Sequence, residues 1–151
     1  MDLKSEVVRL QQKKDLEERA ERQEREVRRA TIQARIESVG QHIEQLFGEA
    51  QEILWANDEW EVVLRRGWEN QLQTSYLWRM TAERKEKKGL FFHRVARVDT
   101  EELVIYFAPE ARKYPFSSPR LGYFTREGLN EEVARQILDL LEQRQRQAVL
   151  A

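Results

Sequence analysis

Cysteine is absent from this 151-residue chain, so neither a disulfide nor a thiolate metal site can belong to its fold. That absence fits a reducing compartment. Histidine occurs only twice, at His42 and His93. A zinc site built on them would have to recruit carboxylates from scattered positions, and no metal or cofactor is expected. The longest apolar runs, such as Leu103 to Ala108, fall far short of the ~20 residues a membrane helix requires. The N-terminus is charged and lacks the apolar stretch of a signal peptide. A non-membrane, cytoplasmic protein is the expectation. Charge of either sign in excess is also missing, with 26 Lys+Arg against 27 Asp+Glu. A module that grips a nucleic-acid backbone usually carries a marked basic excess, so the balance counts against that class.

The signatures of common chemistry are missing too. There is no G-x-S-x-G, no P-loop and no G-x-G-x-x-G. A general base at His93, paired with Asp99 or Glu101, would need a positioned proton and a shaped pocket, and nothing in the spacing argues for either. Ser117, Ser118 and Pro119 read as a turn. These absences lead to the expectation that the chain is not an enzyme.

What is present begins with helix. Proline is confined to residues 109–119, and the first third holds only two glycines, Gly40 and Gly48. Met1 to Leu54 therefore reads as one long helix with two kinds of surface. Residues 1–30 form a charged arm in which Asp15–Arg19, Glu18–Arg22, Glu21–Arg25 and Glu24–Arg28 stand at i,i+4 with the acid first. Each pair adds ~0.2–0.5 kcal/mol to an isolated helix. Leu3, Val7 and Leu10 begin a heptad, but Lys14 and Glu17 interrupt it, so the coiled-coil signal is short. From residue 32 the apolar positions Ile32, Ile36, Val39, Ile43, Leu46, Ala50 and Ile53 alternate in steps of four and three, and such a face must be buried. Burial in the chain's own core is the main expectation, and a dimer seam through Ile32, Ile36, Val39 and Ile43 the other. Gly40 marks either a close approach to another backbone or a break between arm and core.

Residues 60–81 fit either a helix or two strands. The alternation of Trp60/Val62/Leu64 and of Leu72/Thr74/Tyr76/Trp78/Met80 favours strands, with Arg65-Arg66-Gly67 as the turn. Ala82 to Gly89 reads as a charged connection. Leu90 to Val98 reads as a strand, Asp99 to Glu102 as a turn, and Leu103 to Ala108 as a buried strand. Arg120 to Thr125 is a candidate for one more short strand. Asn130 is the expected N-cap of a C-terminal helix with Val133, Ile137, Leu140 and Leu141 on its apolar side.

The expected fold is α+β: a long N-terminal helix, an antiparallel sheet of four or five strands, and a C-terminal helix. Residues 1–30 would be the arm and residues 31–151 an α+β domain. Function follows from architecture alone. The chain reads as a non-enzymatic interaction or adaptor protein that self-associates, a homodimer being favoured, or docks a protein partner. Leu3, Val7, Leu10, the Ile32–Ile43 stripe and Trp68, placed in the suggested turn, are its contact residues. The alternative is nucleic-acid binding by the basic and aromatic surface of residues 84–97 and 112–120, through Lys85, Lys87, Lys88, Arg94, Arg97, Arg112 and Lys113.

Overall fold

The computed structural model describes residues 2–87, 95–109 and 125–150. It is α+β, with α1 (Leu3–Leu54), β1 (Trp60–Trp68), β2 (Tyr76–Lys87), β3 (Val95–Phe107) and α2 (Arg126–Leu150) in chain order. No helix among the described residues is long and apolar enough to cross a membrane. Two compact units are present, Met1–Ser38 and Val39–Ala151.

The first unit is helix from Leu3 onward. Asp2 caps it: its Oδ1 accepts from the Lys4 N–H at 3.2 Å and its Oδ2 from the Ser5 hydroxyl at 3.3 Å, so the acid satisfies the otherwise unpaired first turn. Glu6 and Arg9 form an ion pair, and Glu21 lies 3.8 Å from Arg25 with both side chains more than half exposed. Local pairs and good helix formers thus hold the segment helical with almost nothing buried.

In the second unit the remainder of α1 packs on the sheet. Its buried positions are Gly40, Ile43, Phe47, Ala50 and Leu54, spaced three, four, three and four. The stripe read from the sequence overlaps this face but sits slightly off it. Val39 and Leu46 are half-buried, and Ile53 is exposed while Leu54 takes the inward place. A seven-residue repeat drifts by about 20° per cycle around a straight helix, which moves the last inward position on by one residue.

α1 runs unbroken through Gly40, so the helix-break reading is overturned. The close approach is real, but its partner is a side chain: a Cβ at Gly40 would stand 3.1 Å from Nε1 of Trp78. Gly48 differs, being exposed with nothing within 4 Å of the same construction. There the glycine only weakens the helix. Gly48→Ala is expected to raise stability by about 0.5–1 kcal/mol, read as a higher urea midpoint at unchanged slope.

Among the described residues the sheet is an antiparallel meander of three strands in the order β1-β2-β3, against an expectation of four or five. Arg65, Arg66 and Gly67 lie within β1 rather than in a turn, and the reversal comes at residues 69–75. There Asn70 holds the loop through Thr74, accepting from its backbone N–H at 3.1 Å and donating to its hydroxyl at 2.6 Å. β2 continues through the segment read as a connection, as far as Lys87. Asp99 to Glu102 lies inside β3 rather than forming a turn. Charge misled the reading at these points. Arg84 stands opposite Asp99 in the ladder and Glu101 meets Arg144 of α2, so the charged residues stay in strands by pairing across them. Residues 90–94 and 120–124, also read as strand, lie outside the described residues.

One face of the sheet is the core. Tyr76, Trp78, Met80 and Ala82 of β2 alternate inward, beside Leu103, Ile105 and Phe107 of β3. Trp68 of β1 meets Tyr76 edge-on at 5.2 Å, and Tyr76 meets Trp78 at 4.9 Å. α2 begins earlier than expected, because Thr125 is its N-cap and accepts from the Gly128 N–H at 2.9 Å. Asn130 instead lies inside α2 and bonds to Nε2 of His42 on α1 at 2.9 Å. Leu129, Val133 and Leu140 of α2 are buried, with Ile137 and Leu141 half-buried.

Candidate functional site

Among the described residues, three places stand out as candidates for contact with something outside the molecule. The first is the arm. Its apolar side chains are uncovered: Leu3, Val7, Val8, Leu10, Leu16 and Val27 are all more than half exposed. Leu3, Val7 and Leu10 share one side of the helix, as their four-and-three spacing requires. Of the further seam positions, Ile32 and Val39 are half-buried, while Ile36 and Ile43 are buried. Ile43 therefore spends its surface inside the second unit.

The second place is a cavity of about 800 Å³ at one end of the sheet in the second unit. The ladder explains its composition. Trp60, Arg84 and Asp99 stand in one row across the three strands, and Glu101 lies in the next row. These are inward-facing positions, beyond the apolar rows. The Trp60 ring carries two guanidinium groups, Arg84 at 5.3 Å and Arg144 at 5.2 Å from its centroid. Arg84 pairs with Asp99. Arg144 donates from Nε to both oxygens of Glu101, at 3.1 and 2.9 Å, and from Nη2 to the Leu54 carbonyl at 2.9 Å. Trp55 adds an indole N–H to Glu101 at 2.9 Å.

Each carboxylate here accepts from a guanidinium, so opposite charges cancel within the cavity. Among the described residues no group of His, Asp and Glu is arranged to hold a metal ion. What the cluster does physically is tie the end of α1 to β3 and α2 through one acidic side chain. A similar knot, with Arg135 donating to both Glu132 and Asp139, lies on α2. There the hydrogen bonding that Arg135 donates to Glu132 raises the Arg135 pKa above its ordinary value.

The third place is the outer edge of β1. Val63 and Leu64 are exposed there at 49% and 43%, Leu64 although it belongs to the apolar alternation Trp60/Val62/Leu64. Trp68, read as a turn residue, is a half-buried strand residue held against Tyr76.

Of the seven basic residues weighed for nucleic-acid contact, three lie among the described residues. Lys85 and Lys87 lie on β2 and Arg97 on β3, with an irregular step in the ladder at Glu86/Lys87. Lys88, Arg94, Arg112 and Lys113 lie outside the described residues, as does His93. The cavity network was missed in the sequence because its members, from Trp55 to Arg144, are far apart in the chain. The available signal was the inward parity of Arg84, Asp99 and Glu101 within runs of strand-like alternation. Comparison of the chain with protein-family models, curated proteins and solved structures finds no match.

Proposed function

We propose that this chain is a non-enzymatic interaction protein that uses its helical arm and its sheet domain to bind partners, a second copy of itself foremost. The observation that carries the reading is the exposure of the arm. A helix spanning residues 3–38 would reach roughly 54 Å at 1.5 Å per residue, and its apolar side chains at Leu3, Val7 and Leu10 meet solvent. Ion pairs keep such a helix formed without burial, which leaves those side chains available for a contact. The cavity supports the same reading, since its paired charges lock elements together.

Sedimentation of the full chain from low to high micromolar concentration tests the proposal. A concentration-dependent rise in mass is the expected result. Leu3→Glu/Val7→Glu/Leu10→Glu should then raise the dissociation constant by more than about ten-fold, because three apolar side chains lose their buried area. A variant that associates as tightly as the parent removes the arm from the contact. A parent that stays monomeric throughout removes self-association.

A further inference from the structure

The two outer edges of the sheet are finished differently. On β3, Gln136 of α2 lies against the backbone of Val104: its Oε1 accepts from the Val104 N–H at 3.0 Å and its Nε2 donates to the Val104 carbonyl at 2.9 Å. One carboxamide occupies the donor and acceptor that an added strand would use, which closes that edge. β1 forms the other edge, and among the described residues no strand pairs with its outer side.

Ladder parity identifies the groups that face outward from β1. The Glu69 N–H bonds to the Ser75 carbonyl at 2.9 Å, in register with the β1–β2 pairing. Odd-numbered β1 residues therefore exchange hydrogen bonds with β2, and even-numbered ones turn theirs away. Carried across β2, the same parity makes Val104 face outward from β3, in agreement with its bonds to Gln136. Val62, Leu64 and Arg66 thus present backbone donors and acceptors at the open edge, next to the exposed side chains of Val63 and Leu64.

We propose that β1 pairs antiparallel with β1 of a second copy about a two-fold axis at Val63, joining the two sheets into one. The sequence Trp60-Glu61-Val62-Val63-Leu64-Arg65-Arg66 is complementary to itself about that point. Val62 and the partner's Leu64 exchange both backbone hydrogen bonds, and symmetry repeats the exchange. Glu61 comes opposite the partner's Arg65, and Trp60 opposite the partner's Arg66. Val63 meets the partner's Val63 at the axis.

A register of the same parity centred one residue later sets Glu61 against the partner's Gly67 and loses both ion pairs. Charged side chains on an edge strand commonly repel strand addition. Here two-fold symmetry turns them into attractive cross-strand pairs, which are favourable when directly opposite. Self-complementarity of this kind is what an isologous interface requires, and it selects a second copy over an unrelated strand. The inference rests on the self-association in the reading above and adds to the arm a contact of the sheet domain, with its register.

The absence of cysteine makes the test clean. Val63→Cys places a single thiol at the axis, where facing Cα atoms of a non-hydrogen-bonded pair stand about 4.5 Å apart, within disulfide range. Mild oxidation should give near-complete disulfide-linked dimer. Leu72→Cys is the control, because Leu72 is 84% exposed in the β1–β2 loop, away from the axis, and should crosslink far less. Independently, Glu61→Arg and Arg65→Glu each set like charges opposite one another in a homodimer. Each should raise the dissociation constant about ten-fold, and an equimolar mixture should form a heterodimer of near-parental affinity. A misfolded variant could not be rescued by mixing. Crosslinking of Val63→Cys no faster than the control, or a mixture no tighter than its components, overturns edge pairing while a dimeric parent keeps self-association intact. A monomeric parent overturns both.

Discussion

Glu101→Gln should lower folding stability by about 2–3 kcal/mol, through the one acidic side chain that holds three elements together. Glu101 is only 12% exposed and takes hydrogen bonds from the Trp55 indole and from Arg144, which also binds the Leu54 carbonyl. An amide of the same shape removes the counter-charge of Arg144. Its NH2 end would also face donors, whichever way it turned, and could satisfy only part of them. Removal of one member of a fully buried pair costs about 3–5 kcal/mol. Arg144 is about a third exposed, at 32%, so water offsets part of that cost. Arg144→Met should cost about 2 kcal/mol, and the double variant less than the sum, by about 1–2 kcal/mol. Urea unfolding followed by tryptophan fluorescence measures all three. Additive effects would show that Glu101 and Arg144 act separately.

That network also explains how much of this fold could be read from the chain. α1 was legible because good helix formers, the near absence of breakers and an apolar stripe all point one way. The antiparallel sheet was legible in outline from the alternation around Trp60 and Trp78. Strand ends were not. Arg84, Asp99 and Glu101 look like loop residues until the partners that neutralise them are known, and those partners lie on other strands or on α2. Tertiary pairing overrode local polarity, so two expected turns became strand interior. Gln136 shows the same limit from the helix side. It sits three residues after Val133 and four before Leu140, on an apolar face, and only the edge of β3 explains it. The self-complementary run at Trp60–Arg66 was visible from the start. A turn at Arg65-Arg66-Gly67 would divide it at Leu64 and hide the symmetry about Val63.

Gly40→Leu should destabilise the protein by about 3 kcal/mol, although leucine is much the better helix former. Two terms compete at this position. Replacing glycine inside a helix gains about 1 kcal/mol from backbone propensity. Against it, even a bare Cβ would approach Nε1 of Trp78 to 3.1 Å and Cζ2 to 3.4 Å. The sign depends on whether the indole can retreat. Trp78 is fully buried and packed against Tyr76 at 4.9 Å, in the middle of the strand order, so it has nowhere to go. Packing therefore wins, since overfilling a close-packed core costs typically ~1–3 kcal/mol, occasionally more, and a larger side chain strains more neighbours. Gly40→Ala should be destabilising by about 1 kcal/mol, opposite in sign to Gly48→Ala on the same helix, where no atom stands in the way.

The indole itself supplies the decisive control. Phenylalanine lacks the atoms nearest to the added methyl, including an Nε1 that has no hydrogen-bond partner in the core. Trp78→Phe should therefore relieve part of the cost of Gly40→Ala, and the double variant should be more stable than the two single effects predict. A Gly40→Ala variant as stable as Gly48→Ala would mean that α1 can lift from Trp78 at no cost. The contact would then be incidental, and the glycine would owe its place to something other than the sheet beneath it.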